Sequence, residues 1–330
     1  MHLTLVVSLV VSFFTTVFTV PWLIAQLKKK NLTGVDRNKF SKPRIPEMGG
    51  LAVVIGFIAG VSTLLAIIKV ATEDSLPFLA RANDINLEIL AAALLAVVGA
   101  ALTGIMDDLF GLRQRVKAVI PFLFAIPVGV YTVDTTLRFV FFSHDFGVWM
   151  ILIAPFGVTC AANAGNMLEG FNGLGTGLGI IISITLIIIS LWFEVWNSLI
   201  LLFPLLGTLV AFLWFNKYPA KIFPGDTLTL FVGATIACAA ILGNFKAIGA
   251  LLFIPMIIEF FLKLRGHFRG ENYGTPDKEG YLAYTGKMES LTHLVMKKKK
   301  VNEKQLVWII WGMEGLLCAV VMTLVITGII

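Results

Sequence analysis

Two adjacent carboxylates, Asp107 and Asp108, stand at the end of a long apolar run and are followed by the basic residues Arg113, Arg115 and Lys117. Two carboxylates repel each other, and keeping both at a membrane boundary is costly unless a cation offsets their charge. A divalent metal ion or the three basic side chains would do so. The simpler interpretation is a helix end whose basic residues only set membrane orientation, and the pair alone leaves both open.

A second polar stretch, residues 163–174, combines three asparagines with three glycines. Asparagine side chains, and backbone groups left open by glycine, can bind hard cations, phosphate oxygens or the edge of a nucleobase without adding charge. The glycines match neither GxGxxG nor a Walker loop. The alternative is a helix break with close helix packing, because Gly173 and Gly177 have the small-xxx-small spacing of such contacts.

A third motif, the segment 223–226, reads Phe-Pro-Gly-Asp and opens another apolar run. An acid in the first turn of a helix is stabilised by the positive helix end, so Asp226 could serve only as a cap. The functional interpretation is a metal ligand that faces the other two motifs. Lys217 and Lys221 lie nearby and would suit a polyanionic substrate.

Two further polar segments carry mostly basic residues. Membrane orientation explains the lysines and arginines around residues 42–46, but it explains Glu47 less well. The run Lys297–Lys300 is expected to anchor orientation and to contact anionic lipid headgroups.

These motifs interrupt an unusually apolar chain: 58% of its 330 residues are apolar, 14% are charged, and the mean hydropathy is +0.89. Soluble domains average about 45–50% apolar and about 25% charged residues, so a cytosolic enzyme, a disordered protein and a nucleic-acid binder are excluded. A helix needs about 20 residues to cross a bilayer. We therefore predict an all-α integral membrane protein with about ten transmembrane helices. The predicted spans are 3–26, 47–70, 88–106, 118–133, 148–164, 173–192, 198–215, 227–242, 247–265 and 306–330.

Basic residues are distributed unequally between the two predicted sides of the membrane. One side carries 22 of the 26 lysines and arginines, and the other carries only Lys69, Arg81, Arg138 and Lys246. Because basic loops stay cytoplasmic, both termini are predicted outside and all the polar motifs, hence the active site, at the cytoplasmic face. We treat residues 1–330 as one membrane domain with a long cytoplasmic loop at 266–305.

The three cysteines each stand inside an apolar run. They are Cys160, Cys238 and Cys318, and none has CxxC or Cys/His spacing. We therefore predict three buried small side chains rather than a disulfide framework or a thiolate metal site.

At these motifs the chain resembles the polyprenyl-phosphate N-acetylhexosamine-1-phosphate transferase superfamily. Four ordered motifs in a ten-span frame carry the resemblance: Arg44–Glu47, Met106–Lys117, Asn163–Gly173 and Phe223–Asp226. The chain is most similar to the archaeal and eukaryotic branch, the UDP-GlcNAc–dolichyl-phosphate GlcNAc-1-phosphate transferases. Bacterial relatives usually carry a His-rich motif in the last cytoplasmic loop, which the four scattered histidines of this chain cannot form.

The resemblance implies a reaction and a set of site residues. A phosphate oxygen of a polyprenyl or dolichyl phosphate would attack the β-phosphorus of UDP-GlcNAc and release UMP, with Mg²⁺, or Mn²⁺ as an alternative, at the pyrophosphate. Asn166 and Asp226 would bind the metal, while Asp107, Asp108 and Lys117 would form the catalytic and phosphate-orienting group. The residues expected to bind substrate are Glu47, Asn163, Gly170, Asn172, Phe223, Arg265, His267 and Arg269.

Some positions depart from the family pattern and leave the sugar open. Gln114 and Val116 replace the aromatic residue and the histidine that the family has between Asp108 and Lys117. UDP-GalNAc, UDP-MurNAc-pentapeptide or a modified sugar are therefore alternatives, as is a lipid or solute transporter. The expected setting is an archaeal cell membrane rather than the endoplasmic reticulum, with a homodimer as an open alternative and without nucleic acid.

Overall fold

Long apolar helices make up most of the protein. The computed structural model describes residues 1–70, 85–139 and 142–329, and Arg81 lies outside this range. Within it, nine helices are long and apolar enough to cross a membrane. They are α1 (His2–Lys29), α2 (Gly50–Val70), α3 (Leu87–Phe110), α4 (Gln114–Tyr131), α5 (Met150–Leu168, preceded by a 3₁₀ turn at Gly147–Trp149), α6 (Leu174–Trp192), α7 (Trp196–Asn216), α8 (Gly225–Leu242) and, later in the chain, α12 (Glu303–Ile326).

The predicted span 247–265 is not one straight helix. It consists of α9 (Lys246–Leu252) and α10 (Ile254–Arg265), which meet at Phe253 and are bent by 60°. Pro255 stands in the first turn of α10, where its missing N–H and its ring prevent a continuous helix through this point. Counted as one broken span, this pair completes ten, and the prediction of an all-α multi-pass membrane protein is confirmed.

Short strands and one further helix connect the spans. The strands are β1 (Thr33–Val35), β2 (Arg44–Pro46), β3 (Thr136–Phe139), β4 (Phe142–Asp145), β5 (Thr275–Pro276), β6 (Tyr281–Ala283) and β7 (Val301–Asn302). β1 pairs with β2, β3 pairs with β4, and β6 lies between β5 and β7, always antiparallel. Segment 266–305, predicted as a long loop, thus contains a small sheet together with α11 (Leu291–Lys298).

The connecting segment 266–302 is fastened to the helix bundle by a buried carboxylate. Glu259 of α10 accepts hydrogen bonds from the Ser290 hydroxyl at 3.1 Å and from the backbone N–H of Leu291 at 2.8 Å. Lys263, one turn later, lies 3.9 Å from the same carboxylate. These bonds hold the start of α11 against α10, at the end of the bundle where α1 ends and α2 begins. We call this the site end.

Helix α8 occupies the centre of the bundle. Thirteen of its 18 residues are buried, and it packs against α2, α3, α5 and α7. α3 and α8 touch through their backbones at Gly104, where a Cβ would lie only 2.5 Å from the carbonyl oxygen of Asp226. Any side chain at this position would push the two helices apart, so glycine is what brings the end of α3 to the beginning of α8.

Candidate active site

A buried ammonium group joins two carboxylates at the site end. Lys117 Nζ lies 2.8 Å from Asp107 Oδ2 and forms a second ion pair with Asp226 Oδ2. Lys117 is only 3% exposed. Because a buried cation is tolerated only when anionic partners and hydrogen bonds satisfy it, these three residues form one electrostatic unit.

The turn between α3 and α4 brings Asp107 and Lys117 together. Gly111 ends α3 in a left-handed conformation, and α4 begins three residues later at Gln114. Asp107 Oδ1 accepts a hydrogen bond from the backbone N–H of Leu112 at 2.7 Å, so it stabilises the turn with one oxygen and holds Lys117 with the other.

Asp108 has a different environment, although it is adjacent in sequence. Its carboxylate accepts hydrogen bonds from the backbone N–H of Asp226 at 2.7 Å and from the N–H and hydroxyl of Thr227 at 3.0 and 2.6 Å. The two backbone N–H groups belong to the first turn of α8, where they have no partner within the helix and where a negative charge is favourable. Gly225 has a φ of +69°, and a Cβ there would approach Asp108 Oδ2 to 2.5 Å. Asp108 therefore caps α8 and fixes the position of Asp226.

The two asparagines of α5 also differ in their surroundings. Asn166 donates from Nδ2 to Asp226 Oδ2 at 3.1 Å, so it joins the electrostatic unit. Asn163, one turn earlier, donates instead to the backbone carbonyl of Thr159 at 2.9 Å and does not line the polar cavity that opens beside Asn166.

A polar cavity of about 440 Å³ opens beside Asp226 and Asn166. Its lining residues come from the loop between α1 and α2, from the turn after α5, from the start of α8 and from the segment after α10. Six of the predicted substrate or metal residues line it, and Glu47 is one of them. The other five are Asn166, Gly170, Asn172, Phe223 and Asp226.

Backbone pairing between two segments positions Glu47 and Phe223. The N–H of Phe223 donates to the carbonyl of Pro46 at 2.7 Å, and the N–H groups of Gly49 and Gly50 donate to the carbonyls of Phe223 and Pro224 at 2.8 Å. The first turn of α2 thereby satisfies its free donors on the chain that leads into α8. Burial, with a smaller contribution from the Asp108 charge, raises the pKa of Glu47 above its ordinary value.

The basic cluster after α10 lies elsewhere. Arg265, His267 and Arg269 are exposed, and none of them lines the cavity. Arg265 donates to the carbonyl of Met288. The residues of this segment that do line the cavity are Glu271 and Tyr273.

Several residues that line the cavity were not predicted from the sequence. Asp36 and Arg37 stand in a loop whose charge was attributed to membrane orientation, although an acid within a basic loop is a signal of the same kind as Glu47. Glu169 stands inside the predicted Asn/Gly stretch. Its Oε2 is enclosed without a hydrogen-bond partner among the described residues. Burial raises the pKa of Glu169 to about 7, and the nearby N–H groups of Gly170 and Gly175 limit the rise.

The prediction of three buried cysteines is wrong for Cys160, which is exposed, whereas Cys238 and Cys318 are buried. Cys160 lies on an outward face of α5 and lines a separate apolar groove of about 450 Å³. α5 borders the bundle on that side, so an apolar run there does not imply burial within the protein.

The fold and the site define a class: a multi-pass membrane protein whose helix ends enclose a polar cavity beside a lysine held by two carboxylates. A family model described as glycosyl transferase family 4 matches residues 90–244, which include this lysine and both carboxylates. The chain belongs to glycosyl transferase family 4, and the predicted superfamily and branch are confirmed, because the relatives described next match most of its length.

Relatives from archaea and a eukaryote share most of the chain. A Saccharolobus solfataricus protein, provisionally named UDP-N-acetylglucosamine–dolichyl-phosphate N-acetylglucosaminephosphotransferase, is 39% identical over 99% of both chains. A Sulfolobus acidocaldarius protein with the same provisional name is 36% identical over 98% of both. The Dictyostelium discoideum protein of that name is 29% identical over 82% of this chain and 74% of its own.

Proposed function

We propose that the protein transfers GlcNAc-1-phosphate from UDP-GlcNAc to a dolichyl-type polyprenyl phosphate, which yields lipid-diphosphate-GlcNAc and UMP. This is the first step in assembling a lipid-linked oligosaccharide. The observation that carries the proposal is the buried Lys117 between Asp107 and Asp226, at the edge of a polar cavity. The names of the relatives supply the substrates.

We place the site end at the cytoplasmic face. Support comes from the 22 of 26 lysines and arginines that the ten spans assign to this end, because basic loops stay cytoplasmic. The sugar nucleotide would therefore enter from the cytosol, while the lipid would arrive within the membrane. The archaeal origin of two similar relatives favours an archaeal cell membrane.

Asp226 and Asn166 would hold Mg²⁺. These two side chains offer oxygen ligands that suit Mg²⁺. Asp226 borders the cavity, and its carboxylate already contacts one cation, the ammonium group of Lys117. The side-chain amide of Asn166 lies 3.1 Å from that carboxylate. No group of three or more His, Cys, Asp or Glu side chains in the described ranges could hold a metal. One carboxylate with substrate phosphates is the usual magnesium pattern, so the ion would bind chiefly with the pyrophosphate. When bound, Mg²⁺ would neutralise part of the negative charge of the pyrophosphate.

The reaction forms a bond between a lipid phosphate oxygen and the β-phosphorus, and it breaks the bond from that phosphorus to the bridging oxygen. UMP departs with the bonding electron pair. A phosphate monoester has a second pKa near 6, so the attacking oxygen is largely ionised at neutral pH and needs no strong base. Both oxygens of Asp107 are already engaged, by Leu112 and Lys117. We therefore assign Asp107 to orienting Lys117, and Lys117 to stabilising the negative phosphates.

An apolar groove offers a place for the polyprenyl chain. It is lined by α5, α8, α9 and α10, extends from Leu137 and Lys246 near the opposite end to Ala164, and has a volume of about 450 Å³. Ala164 is two residues before Asn166. A chain lying in this groove would therefore bring its phosphate towards the electrostatic unit.

Release of UMP by the purified protein in nanodiscs tests the proposal. We expect release only when UDP-GlcNAc and dolichyl phosphate are both present, loss on addition of EDTA, and recovery with Mg²⁺. UDP-GalNAc and UDP-MurNAc-pentapeptide, tested in parallel, identify the sugar. Asp226→Asn should lower turnover at least about a hundredfold, whereas Asp277→Asn, the same change on an exposed turn of the site end, should not. Turnover without the lipid phosphate, or near-normal turnover of Asp226→Asn, would contradict the proposal.

A further inference from the structure

Two lysines that follow α7, Lys217 and Lys221, stand outside the polar cavity. The sequence indicated that they would suit a polyanion, yet neither side chain lines the cavity beside Asp226, and both are exposed. The anion that these charges suit must therefore be sought on the outer surface of the site end.

Lys217 lies against an aromatic ring that faces the bilayer. Its Nζ is 4.3 Å from the centre of the Trp214 ring. Trp214 belongs to the membrane-spanning helix α7 and is 68% exposed, so its ring contacts lipid. Tryptophan is typical of the membrane–water interface, and lysine reaches from there to the level of the lipid headgroups.

The beginning of α12 repeats this arrangement close by. Lys304 Nζ lies 6.0 Å from the centre of the Trp308 ring and 5.9 Å from that of the Tyr218 ring. Lys304 and Trp308 are four residues apart and share one face of α12, where Trp308 is 62% exposed. Tyr218 directly follows Lys217 and so connects the two helix ends. The residues Trp214, Lys217, Tyr218, Lys304 and Trp308 are named the α7–α12 patch.

The two lysines of the patch keep their positive charge at the surface. Neither Lys217 nor Lys304 forms an ion pair with an acid of the described ranges. The adjacent acid is turned inward: Glu303 is 2% exposed, accepts a hydrogen bond from the N–H of Asn172 at 2.8 Å and lies 3.4 Å from Lys39 Nζ. Two exposed ammonium groups beside lipid-facing rings are thus available to an anion.

The patch is separate from the two sites already described. Its residues line neither the polar cavity nor the apolar groove, which is formed by α5, α8, α9 and α10. A water-soluble polyanion would gain nothing from rings that face hydrocarbon. A membrane lipid, in contrast, brings its phosphate to the level of the lysines and its glycerol region to the level of the rings.

We propose that the α7–α12 patch is a binding site for an anionic phospholipid of the surrounding membrane. The phosphate lies between Lys217 and Lys304, and the glycerol region packs against the three rings. Each lysine near an anionic headgroup strengthens binding by a known amount, so the two together favour an anionic over a zwitterionic lipid about thirtyfold. The bound lipid joins the end of α7 to the beginning of α12.

Native mass spectrometry of the full chain released from nanodiscs tests the proposal by counting retained lipids. The discs contain phosphatidylcholine with a minor share of phosphatidylglycerol. After correction for abundance, the wild type should retain a single phosphatidylglycerol at least about tenfold more often than a phosphatidylcholine. The double variant Lys217→Gln/Lys304→Gln should lose this preference.

A matched double variant separates a site from a general effect of charge. Lys278→Gln/Lys287→Gln removes the same charge from two exposed positions of the segment 266–302, outside the patch. It should keep the wild-type preference for phosphatidylglycerol.

Dolichyl phosphate separates the patch from the site of the acceptor lipid. Because different helices form the patch and the groove, dolichyl phosphate should bind alongside the retained phosphatidylglycerol and leave it in place.

Three results would overturn the proposal. The first is equal retention of the two phospholipids by the wild type, a measurement that needs no variant. The second is the same loss of preference in both double variants, which would show that only total charge attracts the lipid. The third is displacement of phosphatidylglycerol by dolichyl phosphate, which would assign the patch to the acceptor. None of these measurements requires turnover, so a failure of the proposed reaction would leave them unaffected.

Discussion

Replacing Asp108 by asparagine should lower the free energy of unfolding by about 3 kcal/mol, because Asp108 caps the central helix α8. Its oxygens accept three hydrogen bonds from Asp226 and Thr227, at 2.6 to 3.0 Å. Asparagine has one acceptor oxygen, and its NH₂ group would face a donor. A lost N-cap costs about 1 kcal/mol, and an unsatisfied buried donor costs about 1–3 kcal/mol more.

Thermal unfolding followed by tryptophan fluorescence measures this loss. At about 2 °C per kcal/mol for a chain of this size, the apparent midpoint should fall by about 6 °C. Thr227→Val is the matched comparison, since it removes only the hydroxyl bond and should cost about 1 kcal/mol. The two changes together should cost less than their sum, because they share one interaction.

The capping role also predicts which kinetic property stays the same. The pH profile of UMP release by Asp108→Asn should match that of the wild type, because a capping carboxylate takes no proton from the substrate. An unchanged unfolding midpoint combined with lost turnover would refute the reasoning. It would mean that Asp108 acts on the substrate directly.

Three further predictions concern the site and the groove. Lys117→Met leaves Asp107 and Asp226 without their shared cation, so UMP release should fall at least about a hundredfold, and Lys117→Arg should lose less. Glu169→Gln should stabilise the metal-free protein by about 3 kcal/mol at pH 8 and change little near pH 4, as measured by chemical unfolding. The reason is that burial raises the pKa of Glu169 from 4.5 to about 7, so the wild type loses stability as pH rises through this window. Dolichyl phosphate should slow maleimide labelling of Cys160 severalfold, as followed by mass spectrometry.

Each of these predictions has a contrary outcome. Wild-type turnover of Lys117→Met would exclude an electrostatic role for the ammonium group. If Glu169→Gln and the wild type lose stability in parallel between pH 5 and 8, the carboxyl group is not buried as described. Labelling of Cys160 that is unaffected by the lipid would place the polyprenyl chain outside the groove.

The transmembrane helices could be predicted from the sequence because each is a separate apolar run. An apolar run of about 20 residues is rarely anything other than a membrane-spanning helix. The bend at Phe253 did not follow, since a proline within an apolar run is compatible with either a kink or a break. Segment 266–305 was predicted as a loop because its strands have only two or three residues. Such short strands are defined by their partners and not by local pattern.

The site was predicted in part, for a physical reason that Asp107 and Asp108 illustrate. Their residue types indicated a charged site, but two neighbours on a helix point in different directions. Only the tertiary fold decides that one binds Lys117 and the other caps α8. Asp36 escaped notice because its partner, Asn172, is 136 residues away.

The backbone contact at Gly104 has a consequence for the surrounding lipid. Asp107 belongs to the last turn of α3 and Asp226 to the first turn of α8, so their separation depends on how the two helices are aligned along the membrane normal. Bilayers of different thickness are accommodated by helix tilt. With α3 seated against α8 at Gly104, the pair tilts as one body. We therefore expect the distance between the two carboxylates to stay the same in bilayers of different thickness.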